Sequence, residues 1–318
     1  MQVLRELQPR VFGLTGGLFA NWMPPDQVDV GDYGTIVRNR FVRDGSLRDW
    51  DMTFDVQPTK KSKGTLEYSD RVKVTLSGAA KVHGGLTTDV AASANAGLRF
   101  SGRGSFLYHL SGITTRRFEN SRKFFEDLTR TLIADDRPWD KNSVIVSETR
   151  VAQKATIVVS DGKDASLDLR GDFPLTGDGV LADAKGALTV ASSRGSLFKW
   201  LAADDTIPII GLVRPVFGGP SGGDTEAAPP PGPGILETLR ALFRERSWDI
   251  RAIALEQYVE AEGKTRITGS LPEQNAFQVQ FERLTLADFF SLSDQTLESS
   301  TFVEESVAVE AVARAAKA

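Results

Sequence analysis

The stretch that decides the fold lies at residues 71–100 and reads RVKVTLSGAAKVHGGLTTDVAASANAGLRF. Both halves, on either side of Gly84-Gly85, alternate apolar or small residues with polar ones. Because successive side chains of a strand point to opposite faces, this pattern predicts a long β-hairpin with two different faces. Each leg has roughly a dozen residues, whereas an ordinary strand has about five or six. Legs of this length suit strands that cross a membrane, which need about 9–11 residues.

One face of this hairpin is therefore predicted to meet lipid, and the other to meet water. The water-facing side carries Lys73, Asn95 and Arg99 among small polar residues. The predicted lipid-facing residues are Val72, Val74, Leu76, Ala80, Val82, Val90, Ala92, Ala94, Ala96 and Leu98.

The apolar period changes after the hairpin. Phe118, Phe125, Leu128 and Leu132 recur with helical spacing, which predicts an amphipathic helix over residues 117–134 packed on a sheet. Alternation returns in a second long hairpin over about residues 144–192. Runs of strands with few helices predict an α+β fold. We expect a twisted, mostly antiparallel β-sheet with long β-hairpins, packed amphipathic helices and a C-terminal α/β extension.

Two shorter features lie closer to the N-terminus. Residues 1–8 have the composition of one or two helical turns, which Pro9 is predicted to end. Asp44-Gly45 is a turn signal among the short strands predicted at residues 34–37, 40–43 and 52–56.

Residues 218–234 read GGPSGGDTEAAPPPGPG and have the composition of a linker, stiff at Pro and flexible at Gly. They divide the chain into a β-rich part at residues 1–217 and a C-terminal part at residues 235–318. The C-terminal part opens with a basic amphipathic helix at residues 235–246 and continues with strands near 250–258, 265–270 and 277–281.

Bulk composition excludes several classes of protein. The 318 residues contain no Cys, which excludes disulfides and thiolate metal sites and fits a reducing cytoplasm. No run of about 18 apolar residues occurs, so no transmembrane helix is expected. The N-terminus lacks the features of a signal peptide. A net charge of −4 argues against a dedicated nucleic-acid binder.

Catalytic chemistry is not apparent in the sequence. His83 and His109 are each isolated from other metal-ligating residues. Gly219-Pro220-Ser221-Gly222-Gly223 matches the G-x-S-x-G pattern, but it lies in the linker, and both histidines precede it. We therefore predict no catalytic, cofactor or metal site, and a protein that is not an enzyme.

The order of these parts resembles the pore-forming domain of gasdermins, the bacterial kind in particular. Residues 142–149, NSVIVSET, followed by QKATI at 153–157, look like the strand that opens the family's second hairpin. Residues 179–200 are similar to its closing leg. The likeness covers about residues 25–217.

This resemblance implies a latent cytoplasmic monomer with a role in cell death or bacterial immunity. A protease would cut the linker, for which Gly222, Asp224 and Glu226 are the candidate positions. The hairpins would then enter membrane lipid, and many copies would close into one large homo-oligomer. Until then the C-terminal part would inhibit the pore-forming part through Leu239, Leu242 and Phe243.

Two alternatives stay open from the sequence. Alternating strands also occur in soluble β-rich scaffold or binding proteins, in which one sheet face is wet. The second alternative is a hydrolase whose catalytic site the sequence patterns do not identify. The long hairpin legs favour the pore-forming interpretation slightly over the scaffold.

Overall fold

The structure, a computed structural model, describes most of the chain. The described residues are 2–22, 28–59, 65–70, 72–77, 92–134, 139–160, 162, 165–173, 185–194, 197–202, 206–218, 236–237, 239–241, 253–261, 264–271 and 275–295. None of the helices within these ranges is long and apolar enough to cross a membrane.

The described chain is mostly β-strand, and the predicted α+β class is confirmed. Helices α1 (Gln2–Thr15) and α2 (Ser121–Ala134) are accompanied by a 3₁₀ turn at Leu47–Trp50 and a helix at residues 286–295. The strands are β1 (Phe19–Ala20), β2 (Asp32–Val37), β3 (Arg40–Ser46), β4 (Val56–Pro58), β5 (Thr65–Asp70), β6 (Val72–Ser77), β7 (Ala92–Phe100), β8 (Phe106–Phe118), β9 (Val144–Ser160), β10 (Ala165–Phe173), β11 (Lys185–Arg194), β12 (Leu197–Ala202), β13 (Thr206–Gly218), β14 (Ala254–Ala261), β15 (Lys264–Leu271) and β16 (Asn275–Arg283).

The chain divides into two compact units, and each is built from separated segments. Unit 1 contains residues 1–27, 58–116 and 149–210; unit 2 contains residues 28–57, 117–148 and 211–318. The predicted boundary at residues 217/218 separates parts with different proposed functions, not compact units. It stays a prediction.

Unit 1 has a core formed by α1 and strands β8, β9 and β13. Leu7 and Val11 of α1 are fully buried there. The prediction that Pro9 ends this helix is wrong, because Pro9 lies inside it. Proline removes a single helical N–H bond, and burial of the side chains on both sides of it holds the helix together. The helix ends instead at Thr15. Gly16 follows with a φ of +74°, and the N–H of Gly17 donates to the carbonyl of Phe12.

Unit 2 has a sheet in the order β14-β15-β16-β13-β9-β2-β3, on which α2 packs. The predicted face of this helix is confirmed, since Phe125, Leu128 and Leu132 are buried. Its predicted start at residue 117 is wrong. Phe118 still belongs to β8, and the Asn120 side chain accepts the N–H of Lys123, which places the helix start at Ser121.

The hairpin β2–β3 turns at Arg38-Asn39, not at the predicted Asp44-Gly45. Both turn residues have positive φ, 51° and 62°, as a two-residue type I′ turn requires. Gly45 lies inside β3, opposite Tyr33. A Cβ at Gly45 would lie 2.8 Å from the Tyr33 hydroxyl oxygen, so this glycine allows a close approach and makes no turn.

Candidate functional site

The predicted first hairpin is present as β6 and β7. The two strands are antiparallel, with Val74 opposite Leu98 and Leu76 opposite Ala96. The predicted second hairpin needs a correction at its start. Strand β9 belongs to the larger sheet, and the hairpin itself consists of β10 and β11. Only residues 161–164 separate β9 from β10, and the sequence prediction places both strands in the second hairpin.

The two hairpins form a single four-stranded sheet, in the order β11-β10-β7-β6, which we call the hairpin sheet. They join where β7 pairs with β10. This pairing runs without interruption from Phe100 opposite Ala165 to Ala92 opposite Phe173. The two candidate membrane hairpins are therefore direct neighbours, although residues 101–164 separate them in sequence.

The register divides the hairpin sheet into an apolar and a polar face, because directly opposite residues of antiparallel strands share a face. The polar-face positions of β6, β7 and β10 are Lys73, Thr75, Ser77, Ser93, Asn95, Gly97, Arg99, Ser166, Asp168, Arg170 and Asp172. The apolar-face positions of the same strands are Val72, Val74, Leu76, Ala92, Ala94, Ala96, Leu98, Phe100, Ala165, Leu167, Leu169, Gly171 and Phe173. The apolar set contains no charged residue.

Burial follows this division at the base of the sheet. The exposed fractions of Leu98 and Leu167 are both 0%. Their chain neighbours Arg99 and Asp168 are exposed. At this base the apolar face is covered, while the polar face meets water.

Each strand of the hairpin sheet continues from a strand of the larger sheet. Strand β5 leads into β6, β7 into β8, β9 into β10, and β11 into β12. The larger-sheet strands pair in the matching order β5-β8-β9-β12, and we call them the root strands. The four breaks lie at one level, which we call the junction. Asp70 pairs with Phe106 on its root side, and Val72 pairs with Phe100 on its hairpin side.

Short polar contacts connect the loops at the junction. The N–H of Gly104 donates to the Ser160 carbonyl at 2.8 Å, and the N–H of Ser160 donates to the Ser105 carbonyl at 2.8 Å. The hydroxyl of Ser160 donates to the Gly162 carbonyl at 2.6 Å. Arg10 of α1 donates to the Gly104 carbonyl at 3.4 Å. Gly104 has φ of +72°, a conformation that favours glycine.

The root strands below the junction have a tightly packed core. Tyr108 is fully buried; its hydroxyl donates to the Pro208 carbonyl at 2.9 Å, and the Trp22 ring lies edge-on to it. Burial raises the pKa of Tyr108 far above its ordinary value, because a phenolate there would lose its hydration. The root strands β8 and β9 therefore contribute to a buried apolar core next to the hairpin sheet.

The described residues include only part of the predicted site. Among the predicted lipid-facing residues, Ala80, Val82 and Val90 lie outside the described residues. Of the predicted inhibitory contacts, Leu239 is buried in the core of unit 2 together with Leu128 and Leu132 of α2. The other inhibitory residues, Leu242 and Phe243, and the linker positions Gly222, Asp224 and Glu226 also lie outside the described residues.

Sequence reasoning missed the contribution of β10 to the apolar face. Its sequence ASLDLRGDF alternates with period two, so the signal was present at Leu167, Leu169 and Phe173. It also missed that β16 of the C-terminal part pairs with β13. The alternation of apolar and polar residues in β10 and in β16 does not identify the strand with which each one pairs.

No protein-family model matches the chain, and no curated protein matches its sequence.

Proposed function

We propose that this protein is a latent pore-forming protein whose hairpin sheet enters a membrane after cleavage of the linker. The observation that supports it is the uncharged apolar face, which extends in register over β6, β7 and β10. A strand at the surface of a water-soluble protein needs only a limited apolar stripe to pack on the core. A membrane strand needs an apolar face along the whole length that meets lipid.

The lengths of three of the four strands agree with this proposal, while β6 is described over six residues. β7 and β10 have nine residues each and β11 has ten. A tilted strand crosses the hydrocarbon core with about 9–11 residues. In the inserted state the root strands would remain in water, and the junction would lie at the membrane surface. For the strands to change direction there, the hydrogen bonds between the junction loops would have to break.

Insertion of one copy would leave two unpaired strand edges in lipid. Among the described pairings, β6 and β11 are the outer strands of the hairpin sheet. Unpaired N–H and C=O groups cost several kcal/mol each in hydrocarbon, as a rough figure. We therefore expect β6 of one copy to pair with β11 of the next until a ring closes. The active protein is a homo-oligomer in lipid, and the activating partner is a protease.

A non-enzymatic scaffold or binding role is the second candidate. The complete burial of Leu98 and Leu167 favours it, because a sheet with one wet face would bury the same residues permanently. The two proposals differ in one respect: in the pore the apolar face becomes exposed to lipid after cleavage, whereas in the scaffold it stays buried.

Controlled cleavage tests the proposed function. A site-specific protease sequence is inserted between Gly222 and Gly223, and the full chain is mixed with dye-loaded phosphatidylethanolamine–phosphatidylglycerol vesicles. Pore formation predicts dye release only after the protease is added. The matched control carries a scrambled recognition sequence at the same place. Vesicles that retain their dye after complete cleavage would refute the pore and leave the scaffold.

A further inference from the structure

A line of basic residues crosses the polar face of the hairpin sheet close to the junction. Arg99 of β7 lies opposite Lys73 of β6 on one side and opposite Ser166 of β10 on the other. Ser166 lies in turn opposite Arg194 of β11. Because directly opposite residues of antiparallel strands share a face, these four positions form one line across all the strands of the sheet. We call it the cationic row; it contains a lysine, two arginines and a serine, and no acidic residue.

The two arginines of the cationic row are in contact with water. Arg99 and Arg194 are exposed, and Ser166 between them is partly exposed. Neighbouring strands of a sheet lie about 4.7–4.9 Å apart, so two positions that are two strands apart are separated by about 10 Å. The screening length at physiological ionic strength is about 8 Å. The fields of the two arginines therefore overlap in the water next to the sheet.

The cationic row does not stabilise the sheet that carries it. Like charges at directly opposite positions of neighbouring strands destabilise a sheet, and Lys73 lies directly opposite Arg99. The stability of the latent fold therefore does not account for this arrangement. Its charges point to a role towards solutes outside the sheet.

Elsewhere on the polar face of the described strands, charges occur in combinations of opposite sign. Asp172 of β10 lies opposite Lys185 of β11. Asp168 and Arg170 occupy consecutive polar-face positions of β10. The cationic row is therefore the source of the excess of basic over acidic residues on this face.

The proposed pore gives the cationic row a definite place. In a membrane barrel the apolar side of each strand meets lipid, and the polar side lines the water-filled lumen. Arg99 directly precedes Phe100, the last residue of β7, so the row would lie at the junction end of the lumen, which is a mouth of the pore. Each copy adds the same row, and closure of the ring distributes these charges around the whole circumference. Rings of Arg and Lys favour anions in pores, whereas rings of Asp and Glu favour cations.

We propose that the cationic row makes the pore selective for anions. This inference rests on the proposed pore function, and it names the class of solute that passes best: chloride and small solutes that carry phosphate or carboxylate groups. The row raises the concentration of anions at the mouth by electrostatic attraction. The preference decreases as salt is added, because the screening length falls from about 10 Å at about 0.1 M to about 3 Å at about 1 M.

Reversal potentials in planar bilayers test this selectivity. The full chain with the inserted protease site is cut, and current is recorded between about 10 mM and about 100 mM KCl, where the screening length is about 10–30 Å. The bilayer is made of phosphatidylethanolamine and phosphatidylglycerol, whose negative charge attracts K⁺, so a preference for Cl⁻ must come from the protein. We expect Cl⁻ to be at least about twice as permeant as K⁺. This ratio should fall towards one between about 0.1 M and about 1 M KCl.

Charge reversal within the cationic row provides the matched comparison. Arg99→Glu and Arg194→Glu, combined in one chain, should abolish the preference for Cl⁻ while pores still form, because both side chains are exposed. The control chain carries Lys141→Glu and Arg266→Glu, at exposed positions of unit 2 outside the hairpin sheet. It changes the net charge of the protein by the same amount and should keep the selectivity of the parent.

The outcomes separate selectivity from pore formation. A cut parent protein that conducts without preference, or that prefers K⁺, would refute the inference and leave the pore. An unchanged Cl⁻ preference after charge reversal in the row would refute it as well. So would a loss of conductance in that variant but not in the control, which would assign the row to membrane entry. If the cut parent does not conduct at all, the pore function is refuted, and with it this inference.

Discussion

Leu98 of β7 lies directly opposite Leu167 of β10, and both side chains are fully buried. This contact joins two hairpins that are far apart in sequence. The two hairpins therefore form one sheet only because β7 pairs with β10, which lies far from it in the sequence. The contribution of this pairing to the free energy of unfolding can be measured.

Truncation at this contact should be costly and not additive. Leu98→Ala and Leu167→Ala should each lower the free energy of unfolding by about 2–5 kcal/mol, because each leaves a cavity. The double variant should lose less than the sum, since the two residues share the contact. Denaturation in urea measures these differences. Arg99→Ala, next in the chain but exposed, is the control and should change stability by about 0.5 kcal/mol or less. Full additivity would contradict direct contact.

The junction loop contains two glycines at which substitution by Ala is expected to have opposite effects on stability. Gly104 has φ of +72°, and a Cβ there would lie 3.4 Å from Oε2 of Glu6. We expect Gly104→Ala to lower the free energy of unfolding by about 1–2 kcal/mol, because L-residues are strained in this region. A Cβ added at Gly102 would meet no atom of the described residues within 4 Å, so Gly102→Ala should be neutral or stabilising by up to about 1 kcal/mol. Thermal unfolding of both variants distinguishes them, and equal melting temperatures would contradict the loop geometry.

Alkaline pH should destabilise the protein through Tyr108. Burial raises the pKa of its hydroxyl, so the folded state keeps a proton that the unfolded state releases above pH about 10. The corresponding stability is fully present below that pH and is lost as pH rises above it. Urea denaturation from pH about 8 to about 11 measures the slope.

Tyr108→Phe is the control for this slope. It should flatten the alkaline loss, although the variant loses about 0.5–1.5 kcal/mol at neutral pH because the Pro208 carbonyl loses one of its two donors and keeps the N–H of Asn21. Some slope should remain, since burial also raises the pKa of Tyr258. An unchanged slope in Tyr108→Phe would mean that Tyr108 is not the group responsible.

Local patterns predicted the hairpin strands and α2 well. The alternation around Val74 and Leu98 and the helical spacing of Phe125 and Leu128 are imposed by one buried face, which a sequence displays directly. Errors arose where tertiary contacts override local preference. Pro9 lies within a helix because the residues around it are buried, and Arg38-Asn39 takes a turn that Asp44-Gly45 signals more strongly.

Pairings between strands that are distant in the sequence could not be predicted from it. The β7–β10 and β13–β16 pairings each join strands that carry ordinary alternating patterns, and any of several strands would satisfy the same pattern. The hairpin sheet and the pairing of β16 with β13 are properties of topology. The individual strands were expected, but their assembly into one two-faced sheet was not.

The central claim is that the apolar face of the hairpin sheet enters lipid, and Ala94 and Asn95 test it most directly. Each of these neighbouring residues is replaced by Asp in turn. Ala94 belongs to the apolar face and Asn95 to the polar face. A charge on a lipid face costs about 2–4 kcal/mol per strand near the bilayer midplane, and less for an acid, and a ring of copies multiplies this cost.

Dye release from vesicles after linker cleavage is the decisive measurement. We predict that Ala94→Asp stays folded and latent before cleavage, by circular dichroism and vesicle retention, yet fails to release dye afterwards. Asn95→Asp should release dye as the parent does. An Ala94→Asp protein that leaks as fast as the parent, or that unfolds before cleavage, would contradict the assignment of this face to lipid.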